Sequence, residues 1–157
     1  LPIGSKLNIE IPKLITEDDE LAKRCIIGIL DTDFNLGRNI NFNGSLISLK
    51  VIQQMSNILE RLNISHLCKI SRDIGKICIR KKGSLIILEE WKTHNQKHIS
   101  KYLIWKEFRK FVPFTHTEER LAALEGKLNI EELELVSKKR KSDSLDKNAS
   151  RLKSIAL

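Results

Sequence analysis

Aromatic side chains are scarce, Phe, Tyr and Trp together making up 5% of the 157 residues. A surface that holds single strands by stacking bases on rings needs such platforms, so their scarcity counts against that mode. Cysteine is also sparse. Cys25, Cys68 and Cys78 are odd in number and form no CxxC pair, which argues against a disulfide framework or a zinc site. No apolar run approaches the roughly 20 residues that a bilayer span requires, so a membrane helix is not expected. Acid is in deficit: 20 Asp+Glu face 28 Lys+Arg, a net +8, and 41% hydrophobic residues exclude full disorder. A basic chain with a real core favours a polyanionic partner. There is no signal-peptide pattern, so an intracellular setting is expected, and Leu1 in place of Met suggests a fragment or a non-standard start. His94 and His98 stand four apart, a spacing read as a break between helices in preference to a metal face.

Along the chain, residues 1–15 form an extended lead-in, with Pro2, Gly4 and Pro12. Thr16 is placed to cap a helix, with Asp19 in the capping-box position. That helix ends in Ile26, Ile27, Gly28, Ile29 and Leu30, apolar almost all round, which predicts burial on two sides. Gly28 in mid-helix predicts the close approach of another backbone. Phe34, Leu36, Ile40 and Phe42 then alternate with Asn35, Asn39, Asn41 and Asn43, a hairpin turning at Gly37-Arg38-Asn39. Leu49 to Leu62 has helical spacing, ending at Asn63. A second hairpin, with Asp73-Ile74 as its turn, would set Ile70 opposite Ile77 and Cys68 opposite Ile79. Residues 69–82 carry Lys69, Arg72, Lys76, Arg80, Lys81 and Lys82 against Asp73 alone, so 6 − 1 gives +5.

Ser84 is placed to cap a third helix through Trp91, and a fourth runs from Ile99 to Phe111 before Pro113. Thr115 with Glu118 opens a helix that Gly126 ends, and Asn129 opens another short one. Residues 137–157 form a basic, polar, solvated tail. The expected organisation is therefore a lead-in (1–15), an α+β domain (16–112), a helical extension (113–136) and the tail (137–157). An αββαββα order places four strands in one sheet, helices on its apolar face, with Asn35, Asn41, Asn43, Lys69, Lys76 and Arg80 on the other. Amides pair with adenine, and cationic groups with guanine or phosphate, so this face is suited to duplex DNA.

Ile26-Ile27-Gly28-Ile29-Leu30-Asp31-Thr32-Asp33 resembles the LAGLIDADG motif of homing endonucleases, especially those of inteins and archaeal introns. The strand, helix and Leu-Asn-Ile exit of 40–64 and the helix, His…Lys turn and helix of 91–103 are similar to the elements that succeed the motif in that family, so the resemblance covers roughly residues 11–111. It implies a saddle-shaped sheet in the major groove. Two motif helices would pair at a twofold axis through Ile26, Ile27 and Gly28, and with one motif per chain that means a homodimer. Asp33, in the eighth place, would bind Mg²⁺ beside the scissile phosphate, while Asp31 would hold the helix end. Lys97 matches the family's basic residue near the active site, with Lys101 next, and Arg38 and Arg72 would join the DNA contacts. Ile27 and Phe34 depart from the usual small second residue and ninth Gly. The implied activity is Mg²⁺-dependent cleavage of both strands. The alternative is a family member without cleavage activity that binds nucleic acid, RNA included, as a regulator, splicing cofactor or ribonucleoprotein component; a protein-binding adaptor using 115–136 is a third reading.

Overall fold

The protein, seen as a computed structural model that describes residues 8–156, forms two compact units, Leu1–His98 and Ile99–Leu157. Part of the expected lead-in, residues 1–7, lies outside the described residues. The first unit runs α1 (Lys13–Glu17), α2 (Asp19–Asp33), β1 (Phe34–Leu36), β2 (Phe42–Leu46), α3 (Leu49–Arg61), β3 (His66–Ile70), β4 (Gly75–Ile79) and α4 (Lys81–Ile86), which continues as a π-helical segment over Ile87–Trp91. The class is α+β. All strand pairs are antiparallel, in the order β1-β2-β4-β3. α2 packs on β1 and β2, and α3 on β2, β3 and β4, so both cover one face.

The apolar pattern explains that face. Phe34, Leu36, Ile40 and Phe42 are each at most 2% exposed, as the period of two predicts. Gly37 and Asn41 close a three-residue hairpin loop through the Gly37 N–H to Asn41 C=O bond of 2.9 Å. Its last residue, Ile40, has φ 56°, the left-handed position that such loops usually give to Gly. Left-handed geometry costs a β-branched residue about 1–2 kcal/mol, which complete burial of the Ile40 side chain, worth about 1.5–3 kcal/mol, offsets.

Several local expectations are corrected. α2 is capped not by Thr16 but by Asp18, whose carboxylate accepts from the Leu21 N–H at 2.8 Å; Thr16 bonds back to Lys13 C=O within α1. Ser84 is no cap either. Its hydroxyl is buried inside α4, accepts from the Phe42 N–H at 3.2 Å and donates to Ile79 C=O at 3.1 Å, joining helix to sheet. The second hairpin pairs Cys68 with Ile77 and Ile70 with Gly75, two residues off the expected register. Its loop is Ser71–Ile74, closed by the Ser71 N–H and hydroxyl on Ile74 C=O. A two-residue slip keeps every side chain on its face, which is why the alternation alone does not detect it. β3 is an edge strand, and Ile70 stays 46% exposed.

α2 is buried along Ala22, Ile26 and Leu30 only. Gly28 is exposed on the other side, and a Cβ there would meet nothing within 4 Å, so no close backbone approach occurs among the described residues. Gly44 is the opposite case: a Cβ would stand 2.5 Å from the Phe34 ring. Gly44→Ala is therefore expected to destabilise the chain by about 1–3 kcal/mol, and Gly28→Ala to stabilise the monomer by up to about 1 kcal/mol through helix propensity. Urea unfolding of both variants checks the opposite signs.

In the second unit, α5 (Gln96–Phe108), which begins in the first, is followed by α6 (Thr117–Leu124) and α7 (Ile130–Ile155). Ile104, Val112, Ala123 and Leu133 form its core. The contact boundary falls inside α5; the expected boundary at 112/113 falls after it. α6 opens one residue later than Thr115 and Glu118 suggest, with the His116 N–H donating to Glu119 at 2.7 Å. Gly126, at φ 75°, ends it as expected. The expected tail from 137 is helical, continuing the helix that Asn129 caps; Ser137 itself is buried, and the residues after it are mostly exposed. Lys, Arg, Leu and Ala are strong helix formers, and polarity marks solvation without breaking a helix.

The Glu119 carboxylate takes both terminal nitrogens of Arg140 at 2.8 Å. Arg140's hydrogen bonds hold its carboxyl below the usual 4.5, against the effect of burial and with help from the His116 N–H. A lowered folded value means stability that is present above about pH 4.5 and is lost as pH falls through the folded value. Acid titration of stability is expected to show this loss, and Glu119→Gln to flatten it.

Candidate nucleic-acid interface

The sheet face away from α2 and α3 follows from register. One cross-strand row is Asn35, Asn43, Cys78 and Leu67; the next is Ser45, Lys76 and Lys69. Asn35, Asn43, Ser45, Lys76 and Lys69 are all exposed. Arg80 continues β4 on the same side, one residue past Ile79, and is exposed. Asn41 keeps the parity of Asn43 but is half-buried, its C=O taken by the Gly37 N–H and by Asn43 Nδ2 at 3.2 Å. Arg38 and Arg72 sit in the two hairpin loops. Antiparallel pairing of β2 with β4 sets those loops at opposite ends of the sheet. Ser45 and Leu67 (54% exposed) belong to the face and were not singled out in the sequence; the parity of β2 and β3 was the available signal.

Asp33 closes α2 one residue before β1. It is exposed, and its Oδ2 accepts from the Thr32 hydroxyl at 3.0 Å. It borders a cavity of about 340 Å³ that is otherwise lined by Ile9, Ile29, Ile47 and Val51 with Ser45, Leu46 and Ser48. Lys97 reaches the same strand start, Nζ donating to Asn35 Oδ1 at 2.7 Å. Asp33 and Asn35, neighbours in sequence, and Lys97, far from both, are thus gathered at one end of the open face.

No model of a known family, no curated protein and no solved structure matches this chain. The roles of the residues rest on their geometry.

Asp31 has a different environment from Asp33. The Thr93 hydroxyl donates to its Oδ1 in a short hydrogen bond, and Asn95 Nδ2 donates to its C=O at 2.7 Å. One residue earlier, Leu30 C=O receives His98 Nε2 at 3.0 Å and the Phe34 N–H. These donors satisfy carbonyls that a helix end leaves open, and they offset the unfavourable placement of acids at a C-terminus. His98 is fully buried, with its ring edge-on to Phe42 at 5.2 Å, while His94 is exposed. The break between helices is at 92–95, as the His pair suggested. The clamp of Thr93, Asn95 and His98 was not visible as a motif, because its acceptors are mostly backbone.

Phe34 takes an extended backbone, φ −112° and ψ 158°, so this position needs no glycine. Its ring packs over Gly44, which supplies the space. Ile27 is half-buried. Among the described residues no three His, Cys, Asp or Glu side chains converge on one point, and no helix is long and apolar enough to cross a membrane.

Proposed function

We propose that the chain is a dimeric, LAGLIDADG-type endonuclease that cuts both strands of duplex DNA. The carrying observation is the grouping of Asp33, Asn35 and Lys97 at one end of a sheet face that exposes amides and cations beside Ser45 and Leu67. In this reading the four strands form a saddle in the major groove, where Asn35, Asn43 and Lys76 meet base edges and Lys69, Arg72, Arg80 and Arg38 meet phosphates. Asp33 fits a hard divalent ion as one carboxylate ligand, with its Oδ2 oriented by Thr32. One acid per chain does not complete a ligand set, which agrees with a site shared by two copies and DNA. Bound Mg²⁺ would offset charge on the phosphate and acidify the attacking water. Lys97, held by Asn35, places a positive charge beside the same phosphate.

The twofold axis would run along the outer face of α2, where Gly28 is open and Leu21 is 38% exposed. Gly28→Ala then acquires a second expected effect: the variant that stabilises the monomer weakens self-association, read by sedimentation with DNA present. Salt dependence tests the phosphate contacts. Lys69→Gln and Arg72→Gln are each expected to lower the log–log salt slope of duplex binding by about 1, as loss of one phosphate contact requires. A slope unchanged in both variants would remove the hairpin from the interface.

The half-buried Ile27 favours a second reading. A bulky residue there keeps two motif helices apart, and a protein that binds nucleic acid without cutting it retains every other feature of the face.

A further inference from the structure

A second cationic site lies at the edge of the open sheet face. The last turns of α3, the start of β3 and the start of α4 enclose an open cleft of about 610 Å³, lined among others by Ser56, Glu60, His66, Arg80 and Lys82. His66 Nδ1 lies 2.8 Å from Ile64 C=O, and a carbonyl only accepts, so Nδ1 carries the proton. Nε2 lies within hydrogen-bond distance of the Ser56 hydroxyl, at 2.8 Å. Both side chains are half-buried, and the two hydrogen bonds orient this wall of the cleft. Arg80 is fixed at its backbone, its N–H donating to Ser65 C=O at 2.9 Å. Arg80 and Lys82 are exposed, and neither joins an ion pair among the described residues. Glu60 is the one acid lining the cleft, so the two cations leave it with +1 (2 − 1).

We propose that this cleft binds a phosphate group through Arg80 and Lys82. A planar guanidinium fork beside an ammonium matches a tetrahedral oxyanion, and an anion there relieves the repulsion between the two cations. The His66 and Ser56 wall belongs to the helix-covered side of the sheet, while Arg80 also borders the open face, so the cleft adjoins the proposed DNA-reading face at that one residue and extends beyond it through Lys82. Two sources share this chemistry, an internal phosphodiester of a nucleic acid and a terminal phosphate.

Titration of the intact chain with inorganic phosphate, followed by the His66 ring and Ser65 amide resonances, tests the proposal. Saturable shifts are expected. Arg80→Gln/Lys82→Gln is expected to weaken binding roughly ten-fold or more, the scale for two charge-assisted contacts at an exposed site, and Lys82→Gln alone by a smaller factor. Lys69→Gln/Lys76→Gln should leave it unchanged, and melting curves verify that each variant is folded. A short oligonucleotide with and without a 5′-phosphate separates the sources: tighter binding of the phosphorylated form assigns a terminal phosphate, and equal binding that Lys82→Gln weakens assigns an internal one. Shifts that do not saturate, or that persist with unchanged affinity in the folded double variant, overturn the proposal.

Discussion

Asp33→Asn is expected to abolish Mg²⁺-dependent cleavage while leaving duplex binding intact or tighter. Asp33 is the last residue of α2, is exposed, and has its Oδ2 held by Thr32. Asn is nearly isosteric and can still accept that hydroxyl, so the strand after it should not move. The change removes the negative charge that a hard cation requires. A metal ion contributes several kcal/mol to transition-state charge stabilisation, and each 1.36 kcal/mol is a decade in rate, so the expected loss is at least roughly a thousand-fold. Binding should respond in the other direction, because removing an acid beside phosphates removes a repulsion. The measurement is cleavage of a duplex library with randomised sites by both proteins with Mg²⁺, beside binding to the same library. Equal cleavage by the two would remove Asp33 from the reaction. Binding by both with no cleavage by the unaltered chain at any divalent ion would select the second reading. Asp31→Asn is the internal contrast: its carboxylate accepts from Thr93, so its replacement should lower stability before it lowers rate.

The parts of the fold that were legible are those in which one strong, local signal decides the outcome. α3 follows from its apolar spacing, and the structure adds Ser48 as its cap, accepting the Val51 N–H at 3.3 Å. The first hairpin follows from the alternation of Phe34 to Asn43, and the end of α6 from Gly126. The features that were not legible depend on geometry across the chain. Thr16 and Asp18 are both good caps, and only the short helix before α2 selects the second. A register slip by two is silent in an alternating pattern, and the loop hydrogen bonds of Ser71 set it. Ser84 has the residue type of a cap yet serves as a strut, because Phe42 brings an N–H within its reach. At the site, Asp31 and Asp33 are two residues apart with the same chemistry. Their difference comes from Thr93, about sixty positions on, which binds one and not the other.

Arg120→Ala is expected to have the largest effect on stability, and no sequence pattern marks this residue. Arg120 is 1% exposed on α6, a position that its side chain type rarely occupies. Its guanidinium donates to Ser100 Oγ at 2.9 Å, to Thr115 C=O, to Thr115 Oγ1 at 3.2 Å and to Thr117 Oγ1 at 3.1 Å. All these acceptors are neutral, while the adjacent Glu119 is engaged by Arg140. Burial pulls the guanidinium below its usual pKa, with Glu119 and Glu118 opposing that shift. The fork thus ties the start of α5 to the loop before α6 and to α6 itself within the second unit. Truncation to Ala leaves a cavity where a large side chain was and removes the donors of the buried Ser100 hydroxyl and of the half-buried Thr115 and Thr117 oxygens. Together these are expected to cost about 3–5 kcal/mol. Arg120→Lys keeps a charge but loses the fork, and should recover only part of that. Arg120→Met fills the space without donating; its stability lying close to that of Ala would assign the cost to the stranded oxygens, and lying close to that of Arg would assign it to volume. Hydrogen exchange should localise the loss to 99–157, because every partner of Arg120 named above lies there. Uniform loss of protection over α2 and α3 as well, or a cost below about 1 kcal/mol for Ala, the ordinary range of a surface substitution, would contradict the role given to this side chain.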